Sequence, residues 1–159
     1  MSDRQVSRSI DVDVPPAAVF ALLADPRRHP DFDGSGTVRT AISGPSRLSL
    51  GSRFGVAMRI RLPYRISNTV VEFEEDRRIA WRHFGRHRWR YELEPTAGGG
   101  TRVTETFDWS TSLGPALIDR TSFPTMNARS IEKTLPRLKE LAESTAGTTG
   151  SHSGSDRAG

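Results

Sequence analysis

Residues 123–142 read FPTMNARSIEKTLPRLKELA, and the period of that stretch decides the fold. Phe123, Met126, Ile131, Leu135, Leu138 and Ala142 recur at spacings near three and four, with Arg129, Glu132, Lys133, Arg137 and Lys139 between them. That is one long amphipathic helix with a single apolar stripe. Pro136 lies inside the pattern, removes a backbone hydrogen bond and crowds the preceding turn, so a kink is expected just before it. Beyond Glu143 the sequence STAGTTGSHSGSDRAG has almost nothing apolar to bury. Residues 144–159 therefore read as a disordered tail, and residues 1–143 as one domain.

Upstream of the helix the period is two. Val6, Ile10, Val12 and Val14 alternate with Ser7, Ser9, Asp11 and Asp13, which predicts a strand with one buried face. Pro15-Pro16 ends it and suits the first turn of a short helix over residues 16–24. Asp25 to Phe32 repeats that logic as a second short helix or single turn, ending at Asp33-Gly34-Ser35-Gly36. Strand then follows strand. Phe54, Val56, Met58, Ile60 and Leu62 alternate, with Arg59 and Arg61 on the opposite face. From Tyr64 to Glu74 the apolar positions shift by one residue, which predicts a bulge near Val70. Residues 79–83 and 89–93 form a hairpin about Gly85-Arg86, and Val103, Glu105, Phe107 and Trp109 form the last strand after the turn at 96–100.

The sum is an α+β domain: a curved antiparallel sheet of six to seven strands, two short helices after the first strand, and one C-terminal helix long enough to cover the sheet's apolar face. This layout resembles the START-like helix-grip superfamily, and within it the bacterial SRPBCC, or polyketide cyclase/dehydrase-like and lipid transport, proteins. The resemblance rests on residues 9–20 (SIDVDVPPAAVF), the helix from Asp25-Pro26 to Phe32, and the ending at residues 131–139 (IEKTLPRLK), and spans residues 4–143. The sequence departs from the pattern frequent in such proteins where Asp31-Phe32 stands in place of an aromatic pair. The resemblance implies a hydrophobic pocket between sheet and helix. It fixes no single activity, because the superfamily includes lipid carriers, hormone receptors, polyketide cyclases and co-chaperone-like proteins.

Composition removes several chemistries. The chain has 159 residues and no Cys, which excludes thiolate catalysis, Cys-zinc sites, Fe–S clusters and a disulfide scaffold. No run of apolar residues is long enough for a membrane span, and Met-Ser-Asp-Arg-Gln at the start has no signal-peptide core. A cytoplasmic protein without integral membrane association is expected, monomeric or homodimeric. The charge is +4, from 23 basic and 19 acidic residues, too modest to require a nucleic-acid partner. Gly98-Gly99-Gly100 lacks a following Lys and is a turn, not a phosphate loop. His29, His83, His87 and His152 lack the spacing of a metal triad, so neither metal nor cofactor is expected.

Alternation places His83, His87, Tyr91 and Glu105 on the apolar face. An odd hairpin loop sets Trp81 opposite Tyr91 and His83 opposite Trp89; the same parity across the glycine turn sets Tyr91 opposite Glu105 and Trp89 opposite Phe107. A carboxylate, a phenol and an imidazole in an apolar cavity are the groups for acid–base work on a ketone or enol, and equally for anchoring a ligand without turnover. Glu105, His83 and Tyr91 are the catalytic candidates. Phe54, Met58, Ile60, Trp81, His83, Trp89, Tyr91, Glu105, Phe107, Trp109, Phe123 and Met126 are the expected ligand contacts, suiting a flat polycyclic or acyl molecule. The first expectation is a binding protein for a hydrophobic or aromatic small molecule. One alternative is a cyclase or dehydratase with Glu105 or His83 as base and Tyr91 as donor to a developing enolate. The other is a regulatory module using outer-face arginines: Arg59, Arg61 and Arg65 on one hairpin, and Arg82, Arg88 and Arg90 on the next.

Overall fold

The computed structural model describes residues 3–149. Strand β1 (Gln5–Val12) is followed by helix α1 (Pro16–Leu23), a 3-10 turn (Pro26–Arg28) and the one-turn helix α2 (His29–Phe32). Six strands come next: β2 (Val38–Ser43), β3 (Arg53–Arg59), β4 (Pro63–Glu74), β5 (Arg78–Arg82), β6 (Arg88–Pro95) and β7 (Thr101–Asp108). Helix α3 (Pro115–Ile118) leads into the long helix α4 (Phe123–Thr149). The strands form one seven-stranded antiparallel sheet in the order β1-β7-β6-β5-β4-β3-β2. This is the helix-grip architecture that the family resemblance implies.

Local chemistry sets the early elements. Pro16 occupies the first turn of α1, where its missing N–H costs nothing, and Val19, Phe20, Leu22 and Leu23 turn into the core. Asp25 caps the following turn by accepting from the Arg27 amide at 3.0 Å. Helix α4 buries Ile131, Leu135, Leu138 and Ala142 in the core it shares with β1, β7 and α1. Full burial of each large aliphatic side chain contributes about 1.5–3 kcal/mol, so this stripe fastens helix to sheet.

Several sequence expectations are corrected. Strand β2 was not anticipated: VRTAIS has weak alternation, and its pairing with β3 shifts register twice. Ile60 and Leu62 fall in the turn after β3 and are exposed, not on a strand. Helix α4 extends past Glu143 to Thr149, so residues 144–149 are helical where a disordered tail is expected; residues 150–159 lie outside the described residues. Pro136 lies at an exposed position inside the continuous helix α4. The bulge falls where expected, between Val70 and Glu72 on β4.

Candidate functional site

A cavity of about 410 Å³ lies between the concave face of the sheet, α2 and the N-terminal half of α4. The period of two builds its floor: Phe54, Val56 and Met58 of β3, Tyr64, Ile66 and Asn68 of β4, Trp81 of β5, and Trp89 and Tyr91 of β6 all line it. Helix α2 adds His29 and Phe32, while α4 adds Phe123, Met126, Asn127 and Thr134. Of the expected contacts, Ile60 and Met126 sit at the exposed rim. Phe107 and Trp109 are buried behind the wall instead of lining it; Phe107 packs its ring on Trp89 at 4.8 Å and on Phe123 at 5.4 Å.

Tyr91 and Glu105 are directly opposed in the β6–β7 ladder, as the parity of the glycine turn predicts, and Trp89 is opposite Phe107. The Tyr91 hydroxyl donates to Glu105 Oε1 at 2.8 Å, with both residues buried. Glu105 Oε2 is buried without a hydrogen-bond partner among the described residues. Burial, and secondarily the charge of Asp33, pushes the Glu105 carboxyl up to about 8, although the Tyr91 bond pulls the other way. The phenol is pushed well above its usual range by burial and by its carboxyl neighbour. Arg8 stands across from Glu105 on β1, but its guanidinium turns to Glu132 at 3.1 Å. At neutral pH this is a protonated carboxylic acid beside a phenol.

The other hairpin corrects the expected register. Trp81 is opposite Trp89, and Ile79 is opposite Tyr91, two residues from the predicted pairing. The even slip keeps Trp81 on the cavity face, where its ring still reaches Tyr91 diagonally at 5.5 Å. His83 is thereby off the strand, in the loop that turns through Arg86 at φ 63°. Its ring meets His87 edge-on at 4.1 Å, and both line the cavity. Burial lowers the pKa of His83, and burial with the His83 charge lowers that of His87 to about 4, so both are neutral bases at pH 7.

Sequence reasoning missed His29. Its Nε2–H donates to the Leu23 carbonyl at 2.8 Å, its ring stacks on Trp81 at 4.7 Å, and burial lowers its pKa to about 4. Asn68 was also missed: it is buried in the wall, and its carboxamide has no partner among the described residues. A polar residue at an inward position of an alternating strand is the feature that marks it. On the outer face, Arg88 and Arg90 are held by Glu72 at 3.0 Å and 2.6 Å, which occupies two of the six stripe arginines.

The model of the polyketide cyclase / dehydrase and lipid transport family matches residues 3–143. The chain belongs to that family. The family has a polyketide cyclase/dehydrase-like fold that binds hydrophobic ligands. The chain is 43% identical over 141 residues to the uncharacterized protein Rv0088 of Mycobacterium tuberculosis, a match covering 86% of this chain and 63% of that protein. Among solved structures, protein NE0264 from Nitrosomonas europaea superposes with a TM-score of 0.69 at 18% identity, over 92% of this chain and 99% of that one. An AHSA1-like protein from Aeromonas hydrophila superposes with a TM-score of 0.62 at 19% identity, over 96% and 99%. These two share the family's fold. No helix among the described residues is long and apolar enough to cross a membrane.

Proposed function

We propose that the protein binds a hydrophobic, aromatic or acyl small molecule in the cavity between the sheet and α4, with Tyr91, Glu105 and His83 as polar anchors. One observation carries this reading: an aromatic-walled cavity of about 410 Å³ holds a buried acid whose second oxygen has no partner among the described residues. The volume falls within the range of about 300–1,000 Å³ used for small-molecule sites. A protonated Glu105 offers a hydrogen bond to a carbonyl or hydroxyl of the ligand, and the low dielectric around it strengthens that bond. Trp81 and Trp89 supply stacking surface for a flat body.

The same groups support a second reading, an acid–base enzyme of the cyclase or dehydratase kind. The roles differ from those first expected. Tyr91 already donates to Glu105, so the phenol is committed, and Glu105 below about pH 8 is an acid. The neutral His83 imidazole is then the candidate base, the role first expected of it, whereas His87, held near 4, is too weak a base for that role. Titration of the protein with 2-acetylnaphthalene, followed by quenching of Trp fluorescence, tests binding; absence of saturable quenching by this and by a fatty acyl probe counts against the cavity as a ligand site. Glu105→Gln separates the readings. A binder keeps its affinity within about tenfold, roughly 1.4 kcal/mol, whereas an acid–base enzyme loses about 10²–10⁴-fold in turnover.

A further inference from the structure

Large apolar side chains left in solvent are concentrated at one end of the molecule. Ile60, Leu62, Phe84, Leu113, Leu117 and Met126 are 60–84% exposed, and Tyr64 is 37% exposed. All but Tyr64, which opens β4, belong to a connection that the antiparallel order brings to the same end of the sheet: β3 to β4, β5 to β6, or β7 through α3 into the first turn of α4. Contacts tie the three together. Leu113 N lies 3.4 Å from the Gly85 carbonyl, and Ile60 and Met126 line the same cavity from opposite sides. Among the described residues only Leu50, at the other end, is a comparably exposed large apolar group.

Charge at this end has one sign over the protruding hairpin. Residues 59–65 read RIRLPYR, alternating arginine with apolar side chains, and no Asp or Glu occurs between Gly51 and Val71. Arg59, Arg61, Arg65, Arg86, Arg120 and Arg129 make no ion pair among the described residues. This separates them from Arg88 and Arg90, which Glu72 holds.

We propose that this end, formed by the β3–β4 turn, the β5–β6 loop and the α3–α4 entry, docks on an anionic phospholipid bilayer with the cavity mouth facing the lipid. Leu62, Ile60 and Phe84 enter the boundary between headgroups and acyl chains while the arginines stay at phosphate level on their apolar stems. Each cation near such a surface contributes about 1 kcal/mol. A second copy of this chain is the poorer occupant. A two-fold contact sets each patch against itself and so brings Arg59, Arg61 and Arg65 towards their own counterparts. The apolar groups also stand on three separate loops and leave no single groove for a partner helix. With the mouth against lipid, an apolar ligand moves between bilayer and cavity without crossing water.

The test is co-sedimentation of the full chain with vesicles of phosphatidylcholine alone and of equimolar phosphatidylcholine and phosphatidylglycerol, with circular dichroism confirming that each variant is folded. The expected result is binding to the anionic vesicles only. The triple variant R59Q/R61Q/R65Q weakens it on the order of 100-fold, and I60S/L62S weakens it at least about tenfold. Leu50→Ser, at the opposite end, leaves it unchanged. Binding that vanishes with salt but ignores I60S/L62S is plain electrostatic adsorption and overturns the proposal. So does failure to bind either vesicle, an equal loss in Leu50→Ser, or a dimer in solution that I60S/L62S dissolves.

Discussion

Tyr91 and Glu105 face each other across adjacent strands, and the phenol donates a 2.8 Å hydrogen bond to a carboxyl group that has no other partner among the described residues. The pair is internally satisfied on one side only. Tyr91→Phe removes the donor and leaves a buried carboxyl with neither oxygen paired, which costs about 1–3 kcal/mol. Glu105→Gln keeps an acceptor for Tyr91 and matches the shape of the neutral acid, so its cost is about 1 kcal/mol or less at pH 6. Urea unfolding of the two variants checks the order; an equal or inverted ranking contradicts the assignment of Glu105 as the neutral partner.

Stability should carry the imprint of the same group. The folded state holds the Glu105 proton up to about 8, against an ordinary value of 4.5, so the unfolded chain releases it first as pH rises. The unfolded state then binds fewer protons, and stability falls between about pH 4.5 and 8, at up to about 1.4 kcal/mol per pH unit. His29 and His87, held near 4 against an ordinary 6.5, act in the other direction: their contribution is full above pH 6.5 and is lost as pH falls towards 4. These three groups together place the maximum near pH 6.5. Denaturant midpoints from pH 4 to pH 9 should show the decline on the alkaline side in the native chain and its absence in Glu105→Gln. A steeper decline in the variant would refute the assignment.

Gly34 fixes the loop beneath α4. A Cβ there would meet Thr134 N at 2.4 Å, Lys133 Cβ at 2.6 Å and Ser130 O at 2.6 Å, two of them backbone atoms that cannot rotate away. The Gly34 amide also donates to Thr134 Oγ1 at 2.9 Å. Gly34→Ala should therefore cost about 1–3 kcal/mol through displacement of the loop or helix. Gly98→Ala, where a Cβ meets nothing within 4 Å, is the comparison and should be close to neutral in thermal melting.

Glu72 bridges two arginines on half-buried sheet surface. Removing its charge by Glu72→Gln leaves both guanidiniums without an ionic partner and should cost about 1–2 kcal/mol. Asp11→Asn, which breaks the solvent-exposed Arg102 pair, should leave stability close to that of the native chain. Equal costs in parallel urea curves would show that Glu72 is an ordinary surface residue.

Much of this site was legible in the sequence because a period of two leaves little freedom on a sheet with one buried face. Tyr91 against Glu105, Trp89 against Phe107 and the Val70 bulge all follow from parity. The β5–β6 pairing was not legible, because its register depends on a loop turning through Arg86 in the left-handed region, a conformation that the sequence gives no reason to expect of arginine. Ile60 shows the opposite failure: it continues the alternation of β3, yet the chain has already turned. The wall from α2 and α4 was hidden for another reason. His29, Phe32 and Thr134 obey helical and capping patterns that read as packing, and only the tertiary fold brings them over Trp81 and Tyr91.

Native mass spectrometry of the freshly purified full chain, followed by solvent extraction, asks whether the cavity holds a small hydrophobic molecule. The expected result is a discrete added mass that leaves with organic solvent, carries a carbonyl or hydroxyl on an apolar body, and is reduced when Tyr91→Phe alters the anchor. A chain that carries nothing and takes up none of a panel of acyl and polycyclic aromatic compounds would contradict it.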